Sequence, residues 1–307
     1  MQLTVAGESI RLDRFLATHG RFAGMGRRAL AALIEAGRVR VNGRRARKGT
    51  VVRLGDTISF TDPIAPDEPR AAPPPLAILH LSDEIVAVDK PPGLPTTSGR
   101  TPGPALADAL LARFPEMAAF GDPRHAGLVH RLDTDTSGLL LAARNVDVHV
   151  RLRTAFRRKT AVKDYVAVVA GRVAGTERVT IPLARHPRSR KRMMPGRPSD
   201  RAWPADTHVV PISGDDDLTV VHLRMRTGVT HQLRVHLAML GHPIVGDRRY
   251  GDVTTTDALG TALPPWHYLH AWKIAFDDAD LPWSVATPFP AHWTPLFTAR
   301  RWPVALD

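Results

Sequence analysis

The chain contains no cysteine among its 307 residues. That absence excludes disulfide bonds, thiolate metal ligands and cysteine nucleophiles together. The sequence also lacks any apolar run close to the ~18 residues that a membrane span needs, and its first residues do not show the basic and then apolar order of a secretory signal. We therefore expect a soluble, cytoplasmic protein that does not enter a membrane.

Acidic residues are scarce relative to basic ones. Lysine and arginine total 42 against 30 acidic residues, which gives a net charge of +12 and an isoelectric point near 10.9. This surplus favours a polyanionic partner, either a nucleic acid or an anionic membrane. No GxGxxG follows a strand pattern and no GxxxxGK[ST] is present, so the sequence gives no support for a nucleotide cofactor.

The first sixty residues predict a small α+β unit. Ser9 can cap a first amphipathic helix, and a second is expected over Arg27–Ala36. Val39–Val41 precedes Asn42-Gly43, a pair that strongly favours a tight hairpin, and Asp56–Phe60 is expected to be the last strand.

Basic residues are concentrated in this unit, where they could follow phosphates. The phrase AGRVRVNGRRARKGTVVRLGDTISF resembles the α-L RNA-binding domain that is shared with a small-subunit ribosomal protein. The resemblance implies an RNA-binding domain over residues 1–61. The candidate RNA contacts here are Arg27, Arg28, Arg40, Arg44 and Arg45.

Residues 62–76 are rich in proline and poor in apolar side chains, which is typical of a semi-rigid linker. Beyond them, residues 77–307 contain alternating and buried strand patterns at Ile85–Val88, Leu139–Ala143 and Leu218–Met225, separated by helices and long loops. The pattern predicts an α+β domain with a large, mainly antiparallel or mixed sheet flanked by helices.

The segment His130–Gly138, HRLDTDTSG, places an acid in a basic, turn-rich loop before the apolar Leu139–Leu141. Arg131 is expected to keep Asp133 ionised by charge proximity. A carboxylate held in such a loop can serve as a nucleophile. The alternative is that Asp133 and Asp135 cap a turn before a strand. The side chains expected to hold the loop in shape are Thr134, Thr136 and Ser137, with Gly138 giving a flexible backbone.

A second segment, LRMRTGVTHQLRVHLAMLG, predicts a strand, a turn and a helix capped by Thr230 and ended by Gly241. Arg234 lies at the edge of the buried helix stripe, where an unpaired guanidinium would be costly, so we expect a carboxylate partner. The alternative is a surface arginine. The buried stripe consists of Leu233, Leu237 and Leu240. The same segment contains His231, His236 and His242, but their spacing does not suit two metal ligands on one helical face.

Several motifs together resemble the RluA-type pseudouridine synthases that modify ribosomal RNA, and they occur in the family's order along nearly the whole chain. HRLD carries the catalytic acid of that family, which makes Asp133, and not Asp135, the implied nucleophile. FRRKTAVKDYVAVVAG resembles the second motif and implies that Tyr165 stacks on the target base and is a candidate for moving its proton. THQLRVHL resembles the third and implies that Arg234 pairs with Asp133. VAVDKPPGL resembles the first, a strand that runs into a Lys-Pro loop near the active site, which is expected to be structural, with Lys90 near phosphate as the alternative. GHPIVGDRRYG and LHAWKIAF resemble closing segments.

The resemblance implies an isomerase that converts uridine to pseudouridine without a redox step, and hence without a cofactor. The histidine spacing gives no reason to expect a metal. Large-subunit (23S) ribosomal RNA is the favoured substrate over transfer RNA. Two departures stand out: Val229 replaces the family's usual arginine, and residues 95–98 replace a histidine-containing stretch. The basic run 185–197 is expected to be a solvated loop that contacts RNA. Further candidate RNA contacts are Arg131, Lys90, Arg188, Arg190, Lys191 and Arg192.

Two other functions compete with this interpretation. One is a non-catalytic RNA-binding protein, such as a ribosome assembly factor with the same fold. The other is a glycoside hydrolase with Asp133 and Asp135 as paired carboxylates, but we expect two acids so placed on an extended segment to form a poor pair. Nothing in the sequence indicates an oligomer, and a monomer is expected.

Overall fold

A computed structural model describes residues 2–7, 9–19, 30, 33–35, 37–47, 49–60, 73–97, 103–119, 125–189, 191–197, 201–251, 264–277 and 283–303. The chain divides into two compact units, Met1–Pro73 with Ser98–Pro104 and Pro74–Thr97 with Ala105–Asp307. Most of the segment predicted as a linker, residues 62–76, lies outside the described residues. Within the described ranges, no helix has both the length and the apolar character to cross a membrane.

The small unit is built on a four-stranded antiparallel sheet and a separate two-stranded pair. Its elements are β1 (Gln2–Thr4), β2 (Ile10–Arg11), α1 (Leu12–Ala17), β3 (Val39–Val41), β4 (Arg44–Arg45), β5 (Val51–Val52) and β6 (Thr57–Phe60). The sheet order is β1-β6-β3-β4, and β2 pairs with β5. Buried apolar side chains from α1 and the strands, among them Leu12, Leu16, Val39 and Ile58, form its core.

The predicted hairpin is confirmed. Asn42 and Gly43 both have positive φ angles, 50° and 75°, as a two-residue hairpin turn requires. The predicted Ser9 cap is wrong, because Ile10 and Arg11 form a strand paired with β5 and α1 begins only at Leu12. Of the helix expected over residues 27–36, only 30 and 33–35 are described, and these are helical.

The large unit contains a nine-stranded mixed sheet, which confirms the predicted α+β class. Its strands are β7 (Ala77–Leu81), β8 (Ile85–Lys90), β9 (Ser137–Ala143), β10 (Ala161–Ala170), β11 (Glu177–Val179), β14 (Thr207–Gly214), β15 (Leu218–Met225), β16 (Leu269–Phe276) and β17 (Ser284–Ala286); a separate hairpin is formed by β12 (Leu183–Arg185) and β13 (Met193–Pro195). The order is β11-β14-β15-β10-β16-β9-β8-β7, with β17 beside β16. The β9–β16 pair is parallel and the other pairs are antiparallel.

Helices flank this sheet: α2 (Leu106–Arg113), α3 (Val146–Arg158), α4 (Gln232–Met239) and α5 (Thr294–Arg300), with 3-10 turns at Pro115–Ala119 and Ala291–Trp293. In α3 the Asn145 side chain accepts a hydrogen bond from the Val148 N–H at 2.9 Å, which satisfies a free donor of the first turn. Val148, Leu152 and Ala155 recur at helical spacing and are buried. The helix therefore packs one apolar face on the core.

The start of β9 requires a glycine. Gly138 has a φ of 109°, and a Cβ added there would lie 2.3 Å from the backbone oxygen of Ala271 on the parallel neighbour β16. Both the backbone conformation and the close approach exclude a larger residue. This glycine thus allows the strand that follows the HRLDTDTSG loop to pack directly against β16.

Gly138→Ala is expected to lower the free energy of unfolding by about 2 kcal/mol or more, because it combines backbone strain with overpacking against a strand. The measurement is urea unfolding of the full chain. Gly175→Ala is the matched control, since an added Cβ at Gly175 meets no atom within 4 Å. Equal unfolding midpoints for the two variants would contradict the packing argument.

Candidate active site

The three residues predicted to be catalytic line one cavity of about 420 Å³ in the large unit. Asp133 enters it from the loop before β9, Tyr165 from the central strand β10 and Arg234 from helix α4. The cavity is also lined by Arg131 and by α3 residues such as Phe156. Three separate elements thus bring a carboxylate, an aromatic ring and a guanidinium together.

The predicted ion pair between Asp133 and Arg234 is present. The Arg234 Nη1 donates to Asp133 Oδ2 at 2.7 Å. The same guanidinium donates from Nε and Nη2 to both carboxylate oxygens of Asp247, at 2.6 and 2.7 Å. A buried guanidinium that makes a two-point contact with one carboxylate has a fixed plane. The third nitrogen of Arg234, Nη1, is therefore held pointing at Asp133.

Asp247 was missed by the sequence analysis, although it lies in the quoted segment GHPIVGDRRYG. Its side chain is fully buried. It also accepts backbone hydrogen bonds from Arg249 at 2.9 Å and Tyr250 at 3.3 Å. An acid thirteen residues after an arginine has no periodic relation to it, so only the folded turn after α4 shows that they pair.

Charge keeps Asp133 ionised. Burial alone would raise the pKa of its carboxyl group, but the electrostatic influence of His231 and the charge and hydrogen bond of Arg234 lower it below the usual value. Burial lowers the pKa of His231 to about 4, so that imidazole is neutral at pH 7 and Arg234 supplies the charge. Arg131, predicted to have this role, is exposed and takes no part in the shift, so that prediction was wrong.

Asp135 has a different environment from Asp133. Burial is the main cause that raises the pKa of its carboxyl group. The two acids are separated by a turn, in which the Thr136 N–H donates to the Asp133 carbonyl at 3.2 Å, and not by the extended segment that we expected. Arg234 donates to Asp133 and not to Asp135. The geometry therefore distinguishes Asp133 from its neighbour.

Side chains from other elements hold the Asp133 loop. The Thr96 hydroxyl both donates to the Leu132 carbonyl at 2.7 Å and accepts from its N–H at 3.1 Å. Thr136 and Ser137, two of the hydroxyls expected to shape the loop, lie 2.8 and 2.9 Å from the rings of His267 and His270. These hydrogen bonds hold the chain on both sides of Asp133 and so fix the position of its backbone.

Lys90 is part of this support and does not contact phosphate, so its assignment as an RNA contact was wrong. The side chain is fully buried. Its ammonium donates to the carbonyls of Pro91, Leu94 and Thr134 at 2.8 to 2.9 Å, which uses all three of its hydrogens. These carbonyl contacts stabilise the buried cation at the end of an apolar strand. The contact with Thr134 joins residues that are distant in the sequence, so the sequence alone does not predict it.

Tyr165 lies beneath the cavity with 6% of its surface exposed. Burial, and then the negative charge of Asp133, raise the pKa of its phenol far above the usual value. The preceding residue, Asp164, points to the opposite face of β10, where it accepts hydrogen bonds from His222 and Arg224 at 2.8 and 2.7 Å. The Tyr165 ring is therefore neutral, flat and rigidly supported.

Helix α4 does not begin as predicted. Thr230 is exposed, and His231 is the residue before the first turn, with a φ of 57°. No described side chain caps the first turn, and the Gln232 side chain instead accepts from the Val229 N–H at 3.2 Å and from the Thr227 hydroxyl at 2.9 Å, both of which precede the helix. Gly241 follows the helix with a φ of 82°, as predicted, and the stripe of Leu233, Leu237 and Leu240 packs on the core.

We expected the basic run 185–197 to be a solvated loop, and the structure differs from that expectation. Part of it forms the β12–β13 hairpin, because Leu183 and Met193 are buried and anchor the two strands. Arg188, Lys191 and Arg192 are exposed where the two strands connect, whereas Arg190 lies outside the described residues.

The hairpin is connected to the Asp133 site through Tyr250. The Tyr250 hydroxyl accepts from the Met193 N–H at 2.8 Å and lies 2.6 Å from Nδ1 of His231. The guanidinium carbons of Arg192 and Arg234 lie 5.5 and 5.2 Å from the centre of the Tyr250 ring. Arg249 Nη1 donates to Nε2 of His231 at 3.2 Å, and because a guanidinium cannot accept, the hydrogen of the neutral His231 ring is placed on Nδ1, where it faces the Tyr250 hydroxyl.

Tyr250→Phe is expected to lower the rate of the chemical step about tenfold, because the lost hydroxyl holds both the hairpin and the His231 ring in position beside Asp133. Tyr268→Phe, in a tyrosine outside this network, is the control and should remain near the wild-type rate. Single-turnover kinetics measure the effect. A wild-type rate for Tyr250→Phe would show that the contact is only structural.

The three histidines considered for a metal site have separate partners. His236 lies 2.9 Å from both the Thr207 hydroxyl and the Ile181 carbonyl, and His242 lies 2.9 Å from the Ala170 carbonyl. His231 faces Tyr250. Across the described part of the chain, no group of three or more potential ligands could hold a metal ion.

The remaining predicted RNA contacts have mixed positions. Arg131 is exposed at the cavity, and Arg40, Arg44 and Arg45 are exposed on the β3–β4 hairpin of the small unit. Arg45 also donates to the Glu35 carbonyl at 2.6 Å. Arg27 and Arg28 lie outside the described residues.

Comparison with known proteins agrees with this site. A family model described as RNA pseudouridylate synthase matches residues 84–239, which include Asp133, Tyr165 and Arg234. The chain belongs to this family. It is therefore an RNA pseudouridine synthase, an isomerase, as predicted. A second model, described as S4 domain, matches residues 10–58 and confirms the predicted RNA-binding domain at the front of the synthase.

Relatives match this synthase over most of its length. The "Ribosomal large subunit pseudouridine synthase D" of Yersinia pestis is 35% identical over 256 residues, which cover 82% of the chain and 76% of the relative. An "Uncharacterized RNA pseudouridine synthase" of Aquifex aeolicus (strain VF5) is 33% identical over 258 residues, which cover 82% of the chain and 80% of the relative.

A solved structure titled "Human RNA Pseudouridylate Synthase Domain Containing 4" has a TM-score of 0.59 at 26% identity, and covers 73% of the synthase and 93% of that chain. The similarity to known pseudouridine synthases therefore holds for the three-dimensional fold as well as for the sequence.

Proposed function

We propose that this synthase isomerises one or more uridines of large-subunit (23S) ribosomal RNA, with Asp133 as the nucleophile. The observation that carries the proposal is the ionised carboxylate of Asp133 in an open cavity, held by a buried Arg234 whose plane is fixed by Asp247. A nucleophilic carboxylate must be charged, oriented and accessible, and these contacts supply the first two conditions.

The reaction is an isomerisation, so substrate and product contain the same atoms and electrons. The bond between N1 of uracil and C1′ of ribose breaks, the base turns in the cavity, and a bond between C5 and C1′ forms. A proton leaves C5 and a proton is gained at N1, so no electron donor or acceptor is needed. In this scheme Asp133 attacks either the base or the ribose, and it is released when the new carbon–carbon bond is complete.

Tyr165 is proposed to stack on the uracil and to help move the C5 proton. Its raised pKa keeps the phenol neutral in the resting site. One cause of that shift is the negative charge of Asp133, and this charge disappears when Asp133 forms a covalent bond. The phenol can then give its proton to N1 more readily, and the resulting phenolate can accept the proton that leaves C5. The site would thus couple attack by Asp133 to proton transfer near Tyr165.

The choice of ribosomal RNA is supported by the relatives named as large-subunit synthases and by the basic, RNA-binding front domain. The target uridine must leave its stack to reach the cavity, which costs a few kcal/mol and favours nucleotides in loops. Contacts from the exposed arginines and lysines would offset this cost, so affinity should fall as salt is added. Modification of ribosomal RNA would place the protein in the cytoplasm.

The test is chemical pseudouridine mapping of ribosomal and transfer RNA from cells that lack the protein and from cells in which it is restored. Loss of one or more large-subunit sites, with return on restoration, is the expected result. Loss only in transfer RNA would move the proposal to that substrate. If every site persists, the non-catalytic assembly factor becomes the better interpretation.

A further inference from the structure

A second cavity of about 430 Å³ continues from the proposed reaction site. The two cavities share Phe156, Arg157 and residues 228–230 as lining. Val229 lines both cavities, and it packs on the small apolar cluster that includes Met193. A nucleotide chain that delivers a uridine to Asp133 can therefore continue directly into this second space.

The second cavity presents a rigid aromatic surface. Trp203 is 44% exposed, although its backbone is fixed by two hydrogen bonds to Leu183: the Trp203 N–H donates at 2.8 Å, and its carbonyl accepts at 2.9 Å. Leu183 itself is fully buried at the base of the β12–β13 hairpin. Because this backbone is already fixed, the stacking of a flat ligand would have to order only the two side-chain torsions of the indole.

Positive charge surrounds the indole. The guanidinium carbon of Arg185 lies 5.9 Å from the centre of the Trp203 ring. The cavity is also lined by Arg157, Lys159 and Arg226, and no acid is present among its described lining residues. Arg226 has an acidic partner, Asp277, that lies outside this lining. An aromatic face beside several cations suits a group with a flat ring and a negative charge.

We propose that the second cavity binds a nucleotide flanking the target uridine, with its base stacked on Trp203 and its phosphate facing the basic side chains. Single-stranded nucleic acids are held in this manner, by aromatic stacking along a positively charged groove. The assignment rests on the proposed RNA substrate, and continuity with the Asp133 cavity favours RNA over an acidic protein. The synthase would then require its target in an unpaired segment of at least two nucleotides.

The experiment is equilibrium binding of a fluorescein-labelled oligouridylate of about ten nucleotides, within the range of single-strand binding sites. The full chain is compared with Trp203→Ala, Trp203→Phe and the matched control Ile212→Ala, which removes an exposed apolar side chain from β14 outside both cavities. A second ligand, an abasic ribose-phosphate oligomer of the same length, separates stacking from phosphate contact. An acidic polyglutamate peptide tests the other class of partner.

Trp203→Ala is expected to weaken oligouridylate binding about 5- to 150-fold, whereas Trp203→Phe and Ile212→Ala stay within about threefold of wild type. Binding of the abasic oligomer should not change. The proposal is overturned if Trp203→Ala binds like Ile212→Ala, if the abasic oligomer is affected equally, or if polyglutamate depends on Trp203 instead. Because the assay needs no turnover, its result is independent of whether pseudouridine is formed.

Discussion

Asp133→Asn is expected to reduce pseudouridine formation at least about 10⁴-fold, since removal of a catalytic nucleophile leaves only binding and orientation. The amide keeps the shape of the carboxylate but cannot form the covalent intermediate. The dissociation constant for RNA should stay within a few fold, because the change does not remove any basic contact. The measurement is the single-turnover rate on RNA isolated from cells that lack the protein, together with binding to the same RNA.

Asp135→Asn is the matched control for this experiment. Asp135 lies in the same turn, yet it is not the carboxylate to which Arg234 donates. We expect it to retain activity within about tenfold of wild type, as is usual for a residue that takes no part in bond formation. If Asp135→Asn is the inactive variant and Asp133→Asn is not, the assignment of the nucleophile is wrong.

Arg234→Gln is expected to have the largest effect on stability. It leaves the buried Asp247 and the partly buried Asp133 without their shared cation, and breaking a buried ion pair in this way costs about 3–5 kcal/mol of unfolding free energy. Activity should fall as well, because Asp133 loses both its charge partner and its orientation. Urea unfolding and single-turnover kinetics measure the two effects. The control is Arg178→Gln, in an exposed pair with Asp206, for which little change in the free energy of unfolding is expected because the pair is screened by solvent.

The stability difference between Arg234→Gln and wild type should depend on pH. In the wild type the pKa values of Asp133 and Asp247 are lowered, so their stabilising contribution is present above the unfolded-state pKa of about 3.9 and is lost as pH falls through the folded-state values. In the variant, burial without the cation raises the pKa of both acids, so the deficit should be full near pH 7, should narrow as pH falls through these raised values, and should be smallest below the lowered wild-type values. A deficit that is independent of pH would point to lost packing and not to lost charge.

Sequence motifs predicted much of this molecule because their signals are local. The Asn42-Gly43 hairpin, the buried strand β9 and the leucine stripe of α4 each follow from neighbouring residues. The Asp133–Arg234 pair joins residues 101 positions apart, and it was predicted only because both motifs resemble those of a known family. The physical argument alone required that Arg234 have a carboxylate, without saying which.

The features that were missed depend on tertiary contacts. Asp247 fixes the Arg234 plane, and Tyr250 connects the β12–β13 hairpin to His231, but neither has a characteristic spacing from its partner. The loop of Lys90 was expected to be structural, but Lys90 itself was also assigned as an RNA contact, whereas the fold buries its amino group among carbonyl groups. Trp203 gave no signal, since an exposed tryptophan has meaning only beside the cavity that it lines.

The most direct test of the central claim is the pseudouridine map of large-subunit ribosomal RNA from cells that lack this protein and carry wild type, Asp133→Asn or Asp135→Asn at equal protein levels. We predict that wild type and Asp135→Asn restore the same missing site or sites, whereas Asp133→Asn restores none. Full restoration by Asp133→Asn would contradict the assignment of Asp133 as the nucleophile.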